Sequence, residues 1–130
     1  NRLGCFPIDK KKPSLISLRY SIDLLMAGEQ LVVFPEGMIN RKRKKIKLET
    51  GLLRLSQLAS RNGIDVKVLP IGLAYSEVVP EPFGTAAICF GEPIMISNLR
   101  RNDASEFNVL LADKMNAAEE AALFAVGRIS

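Results

Sequence analysis

The 130 residues, 48% hydrophobic and 25% charged, suit one domain with a sizeable core and are too apolar for an intrinsically disordered chain. The longest stretch without a charge, 82–91, is ten residues, about half of what a spanning helix needs, and no apolar signal region follows the first basic residue. The net charge is +4 and the histidine count is zero, which excludes Ser–His–Asp and Cys–His triads, histidine-ligated zinc and imidazole general bases from what these residues do alone.

In chain order, residues 3–8 read as a short buried strand, ended by Pro7, Asp9 and the lysines at 10–12. Pro13 and Ser14 open a helical pattern in which Leu15, Leu18, Ile22 and Leu25 recur at helical spacing, with Gly28 as its stop. Leu31-Val32-Val33-Phe34 is an apolar, β-rich run, read as a strand buried on both faces and broken by Pro35 and Gly37. The run Arg41-Lys42-Arg43-Lys44-Lys45-Ile46-Lys47 then holds six positive charges, more than the whole chain's net +4, so the remainder is net −2. Such a run repels itself and either stays solvated or holds an anion: a membrane surface, a lipid phosphate or nucleic acid. It contains no aromatic residue, which counts against a base-stacking platform for single strands.

Thr50 is placed to cap a second helix whose stripe is Leu52, Leu55, Leu58 and Ala59, with Gly63 just past its end. Residues 66–74 read as a strand interrupted by Pro70, 77–84 as a Pro- and Glu-rich loop, and 85–90 as another strand that 93–96 extend or bend. Asp103, with Glu106 three residues on, opens a last helix faced by Phe107, Leu110, Leu111, Ala118, Ala121 and Ala122. No repeat, linker or second domain interrupts residues 1–130. Alternating strands and helices predict an α/β domain with a mostly parallel central sheet flanked by helices. Ligands of such sheets sit beyond the carboxyl ends of strands, here Asp9-Lys10 and Pro35-Glu36-Gly37. Cys5 and Cys89, 84 positions apart, read as small core residues in a reducing compartment, with a disulfide or reactive thiol as the alternative.

Neither phosphate-loop pattern, G-x-x-x-x-G-K-[ST] or G-x-G-x-x-G, occurs, and G-x-S-x-G is absent too. Phe34-Pro35-Glu36-Gly37 stands out instead. A carboxylate leaves a buried strand on a proline-fixed turn, beside a glycine that lets backbone and ligand approach. Glu36 there either accepts a hydrogen bond from a ligand hydroxyl or is a solvated residue of an ordinary strand-ending turn.

This tetrad resembles the F-P-E-G block of the glycerolipid acyltransferases, the 1-acylglycerol-3-phosphate and glycerol-3-phosphate O-acyltransferases. Gly4-Cys5-Phe6-Pro7-Ile8-Asp9-Lys10 is similar to the family's G-x-x-[FP]-[IV]-[DE]-R block. Val68-Leu69-Pro70-Ile71 is similar to its proline-bearing strand, and Phe90-Gly91-Glu92-Pro93-Ile94 to its closing G-x-P-I. Lys47-Leu48-Glu49-Thr50-Gly51 takes the place of a K-x-G segment that opens a helix. The resemblance implies transfer of a fatty acyl group from acyl-CoA or acyl carrier protein to glycerol phosphate or lysophosphatidic acid, in phospholipid biosynthesis. It implies no metal or redox cofactor, and a peripheral place on the cytoplasmic side of a bacterial-type membrane. Lys10 and Arg41 would hold the acceptor phosphate and Glu36 its glycerol, with Phe34, Pro35 and Gly37 forming the turn.

Three departures stand beside the likeness. The family's upstream H-x-x-x-x-D block, source of its catalytic base, is missing, so these residues hold no catalytic group. The chain is expected to be an N-terminally truncated fragment, inactive alone. Arg41 lies two positions later than the usual arginine, and Lys10 stands where arginine is usual, keeping the charge without the planar fork. The competing expectations are a nucleic-acid-binding module using 41–47 and a lipid-phosphate-binding pseudoenzyme.

Overall fold

The computed structural model describes residues 4–6, 14–35, 51–98 and 104–130. Their elements are α1 (Leu15–Met26), α2 (Gly51–Arg61), β1 (Lys67–Val68), β2 (Ile71–Tyr75), β3 (Ala86–Phe90), β4 (Ile94–Met95), a 3₁₀ turn (Ile96–Asn98) and α3 (Ala104–Ala125).

The helix ends follow local chemistry. Ser14 caps α1 with its hydroxyl, which accepts from the Ser17 backbone N–H at 3.1 Å. Gly28 and Gly63, at φ +83° and +81°, take the left-handed conformation that ends α1 and α2 and lets the last carbonyls find donors. Thr50 and Asp103, the expected caps of α2 and α3, lie outside the described residues.

The four strands are two halves of one bent hairpin. β2 pairs antiparallel with β3, from Ile71 opposite Phe90 to Tyr75 opposite Ala86, and β1 pairs antiparallel with β4. Pro70 has no N–H to continue a ladder, so residue 70 separates the halves. Between them, 69–70 on one arm face 91–93 on the other, a β-bulge with one extra residue. The inward positions record it: Val66, Val68, Gly72 and Ala74 keep even numbering on the first arm, while the second changes from Ala87 and Cys89 to Ile94 and Ile96. Residues 93–96 therefore bend away rather than prolong β3.

α3 lies across this hairpin and closes two clusters. Phe107, Leu111 and Met115 meet Ile94, Ile96 and Leu53 of α2, and Ala122 and Leu123 meet Ala74 with Ala87 and Cys89 at the edge. Helix and sheet approach closely because Gly72 has no side chain; a Cβ there would clash with the Ala118–Glu119 backbone.

Several expectations need correction. A mostly parallel central sheet is not shown, since both strand pairs among the described residues are antiparallel. Residues 4–6 and 31–34 form no strand, and Val32, Val33 and Phe34 are exposed. A strand exists only through its neighbour's hydrogen bonds, and no strand lies beside these segments among the described residues. The helix expected after Ser14 is present as α1; of its stripe, Leu18, Ile22 and Leu25 are half-buried and Leu15 is 83% exposed, and the one buried residue of α1 is Ser21, whose hydroxyl donates to the Ser17 carbonyl at 2.9 Å. Cys5 is exposed rather than in the core, Cys89 is half-buried, and no disulfide joins them.

Candidate functional site

The segments that bracket the expected site are α1, the chain from Glu29 to Pro35, and α2. Phe6, inside the first sequence block, meets Tyr20 of α1 edge to face, with ring centroids 5.0 Å apart at 88°. This contact ties the chain upstream of Asp9-Lys10 to the second turn of α1. After α1, the backbone N–H of Glu29 donates to the Leu24 carbonyl at 3.0 Å and turns the chain out of the helix. Residues 31–34 then run to Pro35, which is buried, while Phe34 before it is 77% exposed. Phe34 and Pro35 are thus the expected site residues that the structure places. Lys10, Glu36, Gly37 and Arg41 lie outside the described residues, as does the basic run 41–47.

Sequence reasoning missed a second feature. α1 and α2 flank an open groove of about 540 Å³, walled by Leu15, Leu18, Ile22 and Met26 of α1 and Leu58 of α2. Its polar groups are Arg19, Asp23 and Asn62, and the amide nitrogen of Asn62 donates to the Leu58 carbonyl at 2.8 Å. Phe34 and Pro35 do not line it. The signal for this groove was present in the apolar spacing of α1, but periodicity marks an apolar face without saying what covers it.

Among the described residues, no three His, Cys, Asp or Glu side chains gather into a set that could hold a metal ion. The ion pair between Lys114 and Glu92, at 3.3 Å, joins α3 to the bulge, within the segment that resembles the closing G-x-P-I block. No helix among the described residues is long and apolar enough to cross a membrane.

A family model described as Acyltransferase matches residues 1–74, more than half of the chain. The match spans Lys10, Phe34, Pro35, Glu36, Gly37 and Arg41 together with α1 and α2. No curated protein and no solved structure matches the chain significantly.

Proposed function

The chain belongs to the acyltransferase family, and from that premise we propose that it supplies the acceptor-binding part of a glycerolipid O-acyltransferase. The reaction moves a fatty acyl group from the thioester of acyl-CoA or acyl carrier protein to a hydroxyl of glycerol phosphate or lysophosphatidic acid, in phospholipid biosynthesis. The observation behind this reading is the order of the blocks at 4–10 and 34–37 within the matched segment.

In this reading Lys10 and Arg41 meet the acceptor phosphate with charge-assisted hydrogen bonds. Glu36 accepts a hydrogen bond from a glycerol hydroxyl, on a turn fixed by Phe34, Pro35 and Gly37. The acceptor oxygen attacks the thioester carbon, a C–O bond forms, the C–S bond breaks, and the hydroxyl proton goes to a general base. With no histidine in the chain, that base comes from outside these 130 residues. Its loss costs roughly 10²–10⁴-fold, so the chain alone is expected to be close to inactive. The acyl thioester is the co-substrate, and no other cofactor enters. The basic run 41–47 draws the protein to anionic lipid on the cytoplasmic side, at about 1 kcal/mol per charge near the surface.

The test is an acyl-transfer assay of the full-length protein with glycerol 3-phosphate and lysophosphatidic acid as separate acceptors. Glu36→Gln removes a charge-assisted hydrogen bond, and kcat/KM is expected to fall about 10–100-fold. Acylation of neither acceptor, or near-normal kinetics in this variant, would overturn the reading. The absence of histidine favours one second reading, a lipid-phosphate-binding protein without chemistry. A full-length gene with no H-x-x-x-x-D block, whose product binds glycerol phosphate without turning it over, would establish that second reading instead.

A further inference from the structure

The edge-to-face contact of Phe6 with Tyr20 lies away from both buried clusters. Tyr20 is 50% exposed, Phe6 is half-buried, and residues 4–6 belong to no strand. The pair therefore contributes little to the packed core. What it does is close a loop, because it holds residue 6 against residue 20 while Ser14 is held as the cap of α1. Lys10 lies four residues along the chain from Phe6 and four from Ser14, with Pro7 and Pro13 between it and those ends. Four residues span at most about 14 Å, so two held ends restrict the backbone that carries Lys10 far more than one does. The prolines narrow its freedom further.

We propose that Tyr20 is a positioning residue: through Phe6 it holds the segment carrying Lys10 ready for the acceptor phosphate. The inference rests on the acceptor-binding reading above and extends it to a residue outside the family's blocks. A lysine ammonium lacks the planar fork with which arginine fixes its own geometry on a phosphate, so more of the positioning falls on the backbone that carries it. A group held in place before its ligand arrives loses less freedom on binding, and the difference is read as affinity. A phosphate away from the reacting hydroxyl is bound alike in the ground state and the transition state, so the effect falls on the acceptor KM and not on kcat. The strength of aromatic pairs sets its size at about 3–10-fold.

Steady-state kinetics of the full-length protein test this, with whichever of glycerol 3-phosphate and lysophosphatidic acid the wild type acylates. Tyr20→Ala is expected to raise the acceptor KM about 3–10-fold at unchanged kcat. Tyr20→Phe keeps the ring and is expected to match the wild type. Phe6→Leu keeps apolar bulk without the ring and is expected to repeat the Tyr20→Ala result, which covers a Tyr20→Ala protein that circular dichroism shows to be unfolded. In a Lys10→Met background, Tyr20→Ala is expected to add nothing, since the group it positions is gone. An unchanged KM in the folded ring variants, a fall in kcat alone, or a Tyr20→Ala effect that persists in full beside Lys10→Met overturns the proposal. A wild type that acylates neither acceptor is a different result, which overturns the acceptor-binding reading and this inference with it.

Discussion

The two ends of the described chain bury their apolar residues very differently. In the C-terminal half, α3 and the bent hairpin enclose Phe107, Leu111 and Ala122 almost completely. In the N-terminal half, α1 buries only Ser21, and Leu15, Ile16, Val32 and Phe34 are largely open to solvent. Of the blocks that resemble the family's, the described parts of 4–10 and 34–37 lie in the open half, whereas 68–71 and 90–94 lie in the packed one, where Val68 and Ile94 join the core cluster. Residues that bind a substrate face outward from the packed structure, and segments with few buried contacts have low local stability. The expected acceptor-binding residues, from Lys10 to Arg41, and the residues of the packed core, from Leu53 onward, therefore occupy different stretches of the sequence.

The sharpest way to break this contrast is Phe107→Ala. It empties the centre of the larger cluster and is expected to cost about 3–5 kcal/mol, read as a lower urea midpoint. Gly72→Ala comes next: the added methyl meets the α3 backbone rather than a side chain that moves aside, and overpacking of this kind costs about 1–3 kcal/mol. Ser14→Ala removes the cap of α1 at about 1 kcal/mol. Because α1 is poorly buried, its effect is expected as faster amide exchange within α1, with little change in the global midpoint. An equal shift in both readouts would show that the two halves unfold as one. Leu15→Ala is the smallest, within about 0.5 kcal/mol, since its side chain is already open to solvent. A larger loss would mean that α1 is covered in solution.

What could be read from the sequence divides along the same physical line. Ser14, Gly28, Gly63 and Pro70 were legible because capping, left-handed stops and ladder interruption are decided within a few residues. The apolar face of α3 was legible in part: Phe107, Leu111, Ala118 and Ala122 recur at helical spacing and are buried, while Leu110 and Ala121, expected on the same face, are exposed. The strand at 31–34 was not, because strand formation depends on a partner from elsewhere in the chain. Nor was the fate of 93–96: a bulge is a mismatch between two arms, and neither arm alone records it. Cys5 was misplaced for a related reason, since a small apolar residue in a short segment says little about its own burial. At the site, Phe34-Pro35 as a turn was legible in part: Pro35 is buried and sits at a turn, while the buried strand leading to it is not seen.

The bulge opposite Pro70 also sets which length changes this hairpin tolerates. The arm through 91–93 is one residue longer than the pleat requires, so a deletion there restores a continuous alternation and still leaves Ile94 and Ile96 pointing inward. A deletion at 69–70 instead turns Val66 and Val68 away from the cluster they pack against. Variation in chain length among natural variants of this hairpin should therefore collect on the 91–93 side and be purged from the other.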